Sequence, residues 1–180
     1  MIIKESKLDA VLKKAYKGAG IHVERKEDKL IMTTAYLYIE ASLKEATNEF
    51  KALIVKYLGR LPEDGFTGTI SEDKDQKAIP GTINLDMYEK DMSMCMCVKP
   101  TFFQYKDEQV IQMADGNVCT VPEKEWAVFD ENQMKDTEEI LCNWKKDNRM
   151  IAIKTDSMVL GFIYKNPDET LENLNGVGLL

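Results

Sequence analysis

The chain has 180 residues, of which 44% are apolar and 31% charged, with a formal net charge of −7. This length and composition suffice for one domain or two small lobes, and they exclude collagen-like, low-complexity and wholly disordered chains. No apolar run approaches the roughly 18 residues that a membrane span needs, and the stretch from Met1 to Glu5 lacks the apolar core of a signal peptide. We therefore expect a cytoplasmic protein that does not contact a membrane.

The first part of the chain alternates between helical and strand-like patterns. A helix is predicted from a cap at Ser6 to Lys17. A second helix is predicted over 48–58, with Ser42 capping its approach and Gly59 ending it. The predicted strands are Ile2-Ile3 and the ranges 21–25, 29–34, 35–41 and 66–70.

The rest of the chain is richer in strand patterns. The predicted strands are 92–98, 101–105, 109–113 and 118–121, followed by a last hairpin over 150–154 and 157–164. One helix is predicted between them, because Asp136 and Glu139 have the spacing of a capping box. Its inward-facing residues would be Ile140, Leu141 and Trp144.

This order of elements predicts an α+β fold with mainly antiparallel sheets and about three helices. A helix followed by a hairpin occurs near both ends, which suggests two small helix-plus-hairpin lobes. The predicted division is a basic α+β lobe over 1–70, a polar linker over 71–91, an acidic β-rich lobe with one helix over 92–165 and a loosely held tail over 166–180.

The four cysteines, Cys95, Cys97, Cys119 and Cys142, leave two interpretations open. Cys95 and Cys97 would share one face of a strand, so a zinc site completed by the other two is one interpretation. The other is a buried strand that uses cysteines as small apolar residues. We expect the second, with no bound metal and no cofactor.

Catalytic motifs give little support to an enzyme. The single histidine, His22, lies in a strand-like alternation, and the chain has neither a nucleophile turn nor a phosphate-binding loop. Two E-x-K triplets, Glu27-Asp28-Lys29 and Glu72-Asp73-Lys74, are typical of Mg²⁺-dependent nucleases but also arise by chance in charged turns. We expect a non-enzymatic protein, with a Mg²⁺-dependent nuclease as an alternative.

Charge is distributed unevenly along the chain. Residues 1–60 contain 12 Lys+Arg and 8 Asp+Glu, a net of +4, whereas residues 61–180 contain 12 and 23, a net of −11. The candidate DNA-contacting residues are Lys13, Lys14, Lys17, Lys51, Lys56 and Arg60. The candidate partner-binding residues are Glu123, Glu125, Asp130, Glu131, Asp136, Glu138 and Glu139. An acidic surface can occupy a basic nucleic-acid channel in place of phosphate, and a basic face can contact DNA itself.

Two resemblances follow from these features. The strand, helix, three strands and second helix of residues 1–70, with the turn from Gly59 to Gly65, resemble one domain of a DNA polymerase sliding clamp. That resemblance implies that both helices line a basic hole around DNA, with the basic residues above in contact with it. In size, acidity and lack of catalytic motifs the whole chain resembles anti-CRISPR inhibitors and other phage or mobile-element proteins.

The predicted function is a non-enzymatic inhibitor that binds a protein with a basic nucleic-acid channel in a bacterial host cell. A CRISPR effector nuclease is the expected partner, because such effectors grip duplex DNA in long basic channels. A sliding-clamp-like DNA-binding accessory protein is the first alternative, and weak duplex contact is compatible with both.

Overall fold

The computed structural model describes residues 1–73, 95–113, 118–134, 140–143 and 150–164. Within these residues the helices are α1 Glu5–Lys17, α2 Asn48–Leu58 and the short α3 Glu123–Trp126, with a 3₁₀ turn at Glu131–Gln133. The strands are β1 Ile21–Lys26, β2 Lys29–Thr33, β3 Leu37–Ser42, β4 Thr67–Ile70, β5 Cys95–Tyr105, β6 Glu108–Met113, β7 Val118–Pro122, β8 Ile140–Asn143, β9 Met150–Lys154 and β10 Met158–Ile163.

The strands form one 10-stranded sheet in the order β4-β1-β2-β3-β10-β9-β8-β5-β6-β7. All neighbouring pairs that the structure describes are antiparallel. The predicted α+β class with mainly antiparallel strands and about three helices is therefore confirmed. The predicted division into lobes stays a prediction, although β3 pairs directly with β10, so that residues 1–70 and 92–165 share this sheet.

The main core lies on one face of the sheet. A cross-strand row of buried side chains shows how the pairing builds it: Val23, Met32, Ile39, Leu160 and Ile153. Buried apolar side chains of the first two helices pack onto this face, namely Leu8, Val11 and Leu12 of α1 and Phe50 and Ile54 of α2. Burial of each such side chain contributes roughly 1.5–3 kcal/mol relative to exposure, so the face fixes both helices on the sheet.

The ends of α2 show why the sequence folds locally as it does. Gly59 adopts a left-handed conformation with φ of 79°, and its N–H donates to the Val55 carbonyl, which ends the helix as predicted. At the other end Thr47 is the cap, because its hydroxyl accepts from the Phe50 N–H at 3.1 Å. Ser42 ends β3 and lies on the approach to α2, as predicted: its hydroxyl accepts from the Glu45 N–H at 3.4 Å, in the turn that precedes the helix.

The start of α1 also differs from the prediction. Its cap is Lys4, which has no side-chain capping hydrogen bond, and Ser6 lies within the first turn. The capping prediction for Ser6 was wrong, because the cap lies two residues earlier, at Lys4, whose carbonyl accepts from Leu8 N–H at 3.0 Å.

The two positions give a matched pair of capping variants. We expect Thr47→Ala to lower the free energy of unfolding by about 1 kcal/mol, because it removes the cap of α2 and a 3.2 Å hydrogen bond from Thr47 Oγ1 to Glu5. Ser6→Ala is expected to change it by less than about 0.5 kcal/mol. Urea unfolding followed by circular dichroism compares the two, and equal losses would contradict the assignment of Thr47 as the cap.

Residues 92–165 contain two corrections to the predicted elements. The strand predicted over 101–105 and the described part of the one predicted over 92–98 belong to the single strand β5, whose pairing with β6 shifts register between Pro100 and Gln104. The helix predicted around Ile140 was wrong in its described part, because Ile140–Asn143 is strand β8, paired with β5 and β9. The third helix lies earlier, at Glu123–Trp126.

The remaining predicted segments are tested only in part. The polar linker is described only up to Asp73, and the tail over 166–180 lies outside the described residues. The predicted last hairpin is confirmed as β9 and β10. None of the helices in the described ranges is of a length and apolarity that would let it cross a membrane.

Candidate functional site

Helix α1 lies between α2 and α3 and contacts both. On the α2 side, Lys56 Nζ is 2.6 and 2.7 Å from the two carboxylate oxygens of Asp9, and the Tyr57 hydroxyl donates to Asp9 at 2.7 Å. These hydrogen bonds, that of Lys56 first, lower the pKa of Asp9. Burial, and then the hydrogen bond to Asp9, raise the pKa of Tyr57. The side of α1 that faces α2 is therefore closed by a polar cluster.

On its other side α1 faces α3, which is held by contacts from distant parts of the chain. The Glu123 N–H donates to the Asp107 carbonyl at 2.9 Å and so fixes the start of α3. The Trp126 ring lies 4.9 Å from that of Phe162 and 5.6 Å from that of Phe129. The segment before α1 pairs with the segment after α3 through a bridge between Ile3 and Phe129.

Between α1 and α3 lies a cleft with a volume of about 370 Å³. Its walls are Lys7, Ala10, Val11 and Lys14 from α1, and Glu123, Lys124, Glu125 and Ala127 from α3 and its C-terminal neighbour. The volume lies within the range of small-molecule pockets, roughly 300–1,000 Å³. We call this space the α1–α3 cleft; its carboxylates, ammonium groups and small apolar side chains suit it to binding a charged ligand.

Glu125 is the unusual residue of the cleft. It is only 4% exposed, and its Oε2 atom is buried without a hydrogen-bond partner in the described structure. Lys14 Nζ is 3.9 Å from Oε1, which is beyond hydrogen-bond distance. A buried acceptor without a donor costs about 1–3 kcal/mol, so the fold keeps Glu125 at this position at the expense of stability.

The acidic residues predicted to bind a partner are therefore not all on the surface. The expectation that Glu125 contributes to an acidic surface was wrong, since its side chain is enclosed between α1 and α3. Glu131 is exposed, whereas Glu123 and Asp130 are half-buried. Lys4 Nζ is 4.0 Å from Asp130. The other three, Asp136, Glu138 and Glu139, lie outside the described residues.

The six basic residues predicted to contact DNA do not form one continuous face. Lys13 and Lys17 are exposed on α1. Three others lie beside carboxylates: Lys14 near Glu125, Lys56 bound to Asp9 and Arg60 at 3.2 Å from Glu63.

The sixth basic residue, Lys51, lies on a different side of α2 from Lys56. The two are five positions apart, which places them about 140° apart around the helix. Since Lys56 contacts α1, Lys51 is directed away from α1. Among the predicted six, Lys13, Lys14 and Lys17 are exposed neighbours on α1, and Lys14 lies near Glu125.

The single histidine is part of a polar chain on the face of the sheet opposite the main core. His22 Nε2 lies 2.8 Å from Glu24, and Nδ1 lies 3.3 Å from the Thr69 hydroxyl. His22 is 9% exposed. These neighbours are cross-strand and same-strand partners of His22, as expected for an ordinary strand residue.

The possible metal-binding residues have other contacts or lie apart. Asp28 of the first E-x-K triplet accepts from the Ser42 hydroxyl at 2.6 Å, and Lys29 is 2.6 Å from Glu40. In the second triplet Lys74 is outside the described residues. In the described parts of the chain, no three His, Cys, Asp or Glu residues group as metal ligands.

The four cysteines lie on three different strands. Cys119 is buried and is not part of a disulfide, whereas Cys142 pairs across the sheet with Met96, between Cys95 and Cys97 of β5. Comparison with known proteins adds no assignment to these groups. No protein-family model matches the chain, and no curated protein matches it in sequence.

Proposed function

We propose that this chain is a non-enzymatic inhibitor of the phage or mobile-element type, which binds a nucleic-acid-handling enzyme in the cytoplasm of a bacterial host. The best candidate partner is a CRISPR effector nuclease, because its basic channel must hold nucleic acid. The observation that carries the proposal is the acidic excess after residue 60, where 23 Asp+Glu oppose 12 Lys+Arg.

The described structure gives part of this charge a location. Glu123, Asp130 and Glu131 lie along one short segment from α3 to the 3₁₀ turn, and each is at least partly exposed. We call these three residues the acidic segment. Carboxylates presented in this way offer a basic channel a substitute for phosphate groups, and they steer association with it.

The acidic segment lies beside the basic helix rather than apart from it. Lys4, directly before α1, is 4.0 Å from Asp130, and Glu123 lines the same cleft as Lys7 and Lys14. Duplex DNA approaching this side of α1 would meet carboxylates as well as lysines. This arrangement favours a protein that competes with DNA for its partner over one that bridges the two.

A charge-reversal variant tests the proposal. We expect Glu123→Lys combined with Glu131→Lys to weaken binding to a DNA-cleaving CRISPR effector complex by more than about tenfold, because like charges then meet at the interface. Binding is measured by titration, and inhibition is measured by cleavage of a labelled duplex. In size-exclusion chromatography, wild-type protein and duplex should form mutually exclusive complexes with the effector.

The matched control is Glu45→Lys combined with Glu72→Lys, which changes the net charge equally at two exposed positions outside the acidic segment. This variant should bind and inhibit like wild type. Equal weakening by both variants would indicate a general charge effect, and full binding by the acidic-segment variant would rule the proposed surface out. Elution of effector, duplex and inhibitor as one complex would indicate that the inhibitor bridges the effector and the duplex and does not compete with the duplex.

A sliding-clamp-like DNA-binding accessory protein is the second candidate. It is favoured by the side-by-side packing of α1 and α2, where the Tyr16 and Tyr57 rings are 5.7 Å apart, and by the exposed Lys13 and Lys17. This function predicts duplex binding at low salt that decreases when both lysines are changed to alanine. A gel shift without any retarded duplex would exclude it.

A further inference from the structure

The two edge strands of the sheet, β4 and β7, differ in their accessibility. Residues 118–121 of β7 are each at most 3% exposed. In β4, by contrast, Thr67 is exposed and the other three residues are half-buried. An edge strand carries a row of unpaired backbone N–H and C=O groups, which can pair with a further strand. Within the described part of the chain, β4 is therefore the edge that another chain can reach.

The register of β4 shows which of its backbone groups are directed outward. The Arg25 N–H donates to the Phe66 carbonyl at 2.8 Å, so this carbonyl is directed towards β1. The direction of the backbone groups alternates along an antiparallel strand, so that every second residue after Phe66 also bonds to β1. Thr67 and Thr69 lie between these positions and direct their N–H and C=O groups away from β1. The edge thus offers four backbone groups for pairing.

The two faces of β4 differ in the side chains that a pairing strand would meet. On one face Thr67 and Thr69 lie beside polar residues of β1, among which Glu24 is opposite Thr67. On the other face Gly68 has no side chain, and a Cβ atom there would contact the Phe66 ring at 3.4 and 3.8 Å. Phe66 is half-buried against the main core. An apolar side chain opposite Gly68 would therefore find space and cover the Phe66 ring.

The chain on both sides of β4 is acidic. Residues 61–73 contain four carboxylates and neither lysine nor arginine. The four are exposed and flank the uncharged strand, with two before it and two after it: Glu63, Asp64, Glu72 and Asp73. Arg60, at 3.2 Å from Glu63, offsets one of these charges. Basic side chains near the ends of a pairing strand would thus meet opposite charge.

The same charges disfavour a second copy of this chain as the pairing strand. An antiparallel pair of two β4 strands centred on Gly68 would place Asp64 of one copy opposite Glu72 of the other. Like charges directly opposite each other destabilise a strand pair. The partner strand is therefore expected to come from a different protein.

We propose that β4 is a docking strand for an extended, basic segment of a partner protein. The segment pairs antiparallel with β4 through the four outward backbone groups. An apolar side chain at its centre lies over Gly68 and against Phe66, and lysine or arginine side chains near its ends lie beside Asp64 and Glu72. Strand addition of this kind takes affinity from backbone hydrogen bonds and specificity from alternate side chains. The acidic segment shares no residue with this site, so the proposal does not rest on the inhibitor function.

A synthetic peptide tests the proposal on the full chain. Its seven residues are lysine, valine, threonine, isoleucine, threonine, valine and lysine, with both ends capped, so that isoleucine is central on one face and the lysines end the other. We expect saturable binding in a titration followed by NMR. At saturation, hydrogen exchange of the Thr67 and Thr69 amides should slow by at least about tenfold, because these N–H groups become hydrogen-bonded.

Two substitutions at one position give a matched pair. Thr67→Pro removes an outward N–H, which an edge strand tolerates, whereas Thr67→Val keeps it. We expect Thr67→Pro to weaken peptide binding by at least about tenfold, since a peptide carbonyl loses its donor. Thr67→Val should bind within about twofold of wild type.

Methylated peptides give the same test on the unchanged protein, should Thr67→Pro alter the fold. N-methylation of both threonine amides should abolish binding, because these N–H groups face β4 in the proposed pairing. N-methylation of the isoleucine amide should leave binding intact, because that N–H is directed away from β4.

A peptide with glutamate in place of both lysines tests the charge of the occupant. We expect it to bind at least about fivefold more weakly at low salt, with a smaller difference at high salt. Equal binding of the two peptides would overturn the assignment of a basic partner. Undetectable binding of the lysine peptide, or unchanged binding by Thr67→Pro, would overturn the docking strand itself. A dimer of the chain that dissociates in Thr67→Pro would overturn the partner in favour of a second copy.

Discussion

Replacing Gly161 with alanine is expected to lower the free energy of unfolding by about 2 kcal/mol, because the added methyl group overpacks the sheet. Gly161 lies in β10 between Tyr38 of β3 and Ala152 of β9. A Cβ atom at this position would be 3.1 Å from Met150 Cγ and 3.2 Å from Tyr38 Cβ, and closer still to Met150 Sδ. Met150 and Tyr38 are almost completely buried, so neither side chain can easily move away.

Urea unfolding of Gly161→Ala measures this effect, with Gly68→Ala as the control. Gly68 also lies in a strand, but its nearest neighbour would be the Phe66 ring at 3.4 Å, an ordinary contact. The double variant Gly161→Ala, Met150→Ala should lose at least about 1 kcal/mol less free energy of unfolding than the two single variants lose in sum, because substitutions at contacting residues are not additive. Equal stability of the two alanine variants would refute the steric argument.

Replacing Phe162 with alanine is expected to have a larger effect, a loss of about 4 kcal/mol in the free energy of unfolding. Phe162 is 0% exposed in the main core, and its ring lies 4.9 Å from that of Trp126. Its removal leaves a cavity between β10 and α3 and takes away one of the contacts that hold α3 on the sheet.

Phe162→Leu separates the loss of volume from the loss of the ring. Leucine keeps most of the buried apolar volume, so we expect it to cost less than about 1.5 kcal/mol. Urea unfolding of both variants, monitored by circular dichroism, gives the comparison. If alanine were no more damaging than leucine at this position, loss of buried volume would not be the cause of the destabilisation.

Elements with local signals were predictable from the sequence. The hairpin of β1 and β2 follows from alternation on both sides of a charged turn, and the bounds of α2 follow from helical periodicity that ends at Gly59. In contrast, Ile140 and Leu141 form a short apolar run that fits a helix or a strand equally well. Their pairing with β9 and β5 decides the outcome, and no local pattern contains those partners.

The α1–α3 cleft could not be predicted for the same reason. Glutamate is mostly exposed in folded proteins, so the sequence gives no reason to expect Glu125 to be buried. Its burial results from contacts between α3 and α1, which are more than a hundred positions apart in the chain. A partial signal was present, since Trp126, Val128 and Phe129 directly follow it and all are buried. The sequence shows where acidic and basic residues lie along the chain, but it does not show that Lys14 and Glu125 line one cleft.

The strand order also has a consequence during protein synthesis. Strands β1 to β4 form one side of the sheet and β5 to β8 the other, and the hairpin of β9 and β10 joins them in the middle. A nascent chain that has not yet reached Met150 therefore carries two separate half-sheets, with the edges of β3 and β8 unpaired. Unpaired edges are sites of aggregation, and pairing between distant residues slows folding. We therefore expect the edges of β3 and β8 to stay unpaired during synthesis until the hairpin of β9 and β10 has emerged and paired with them.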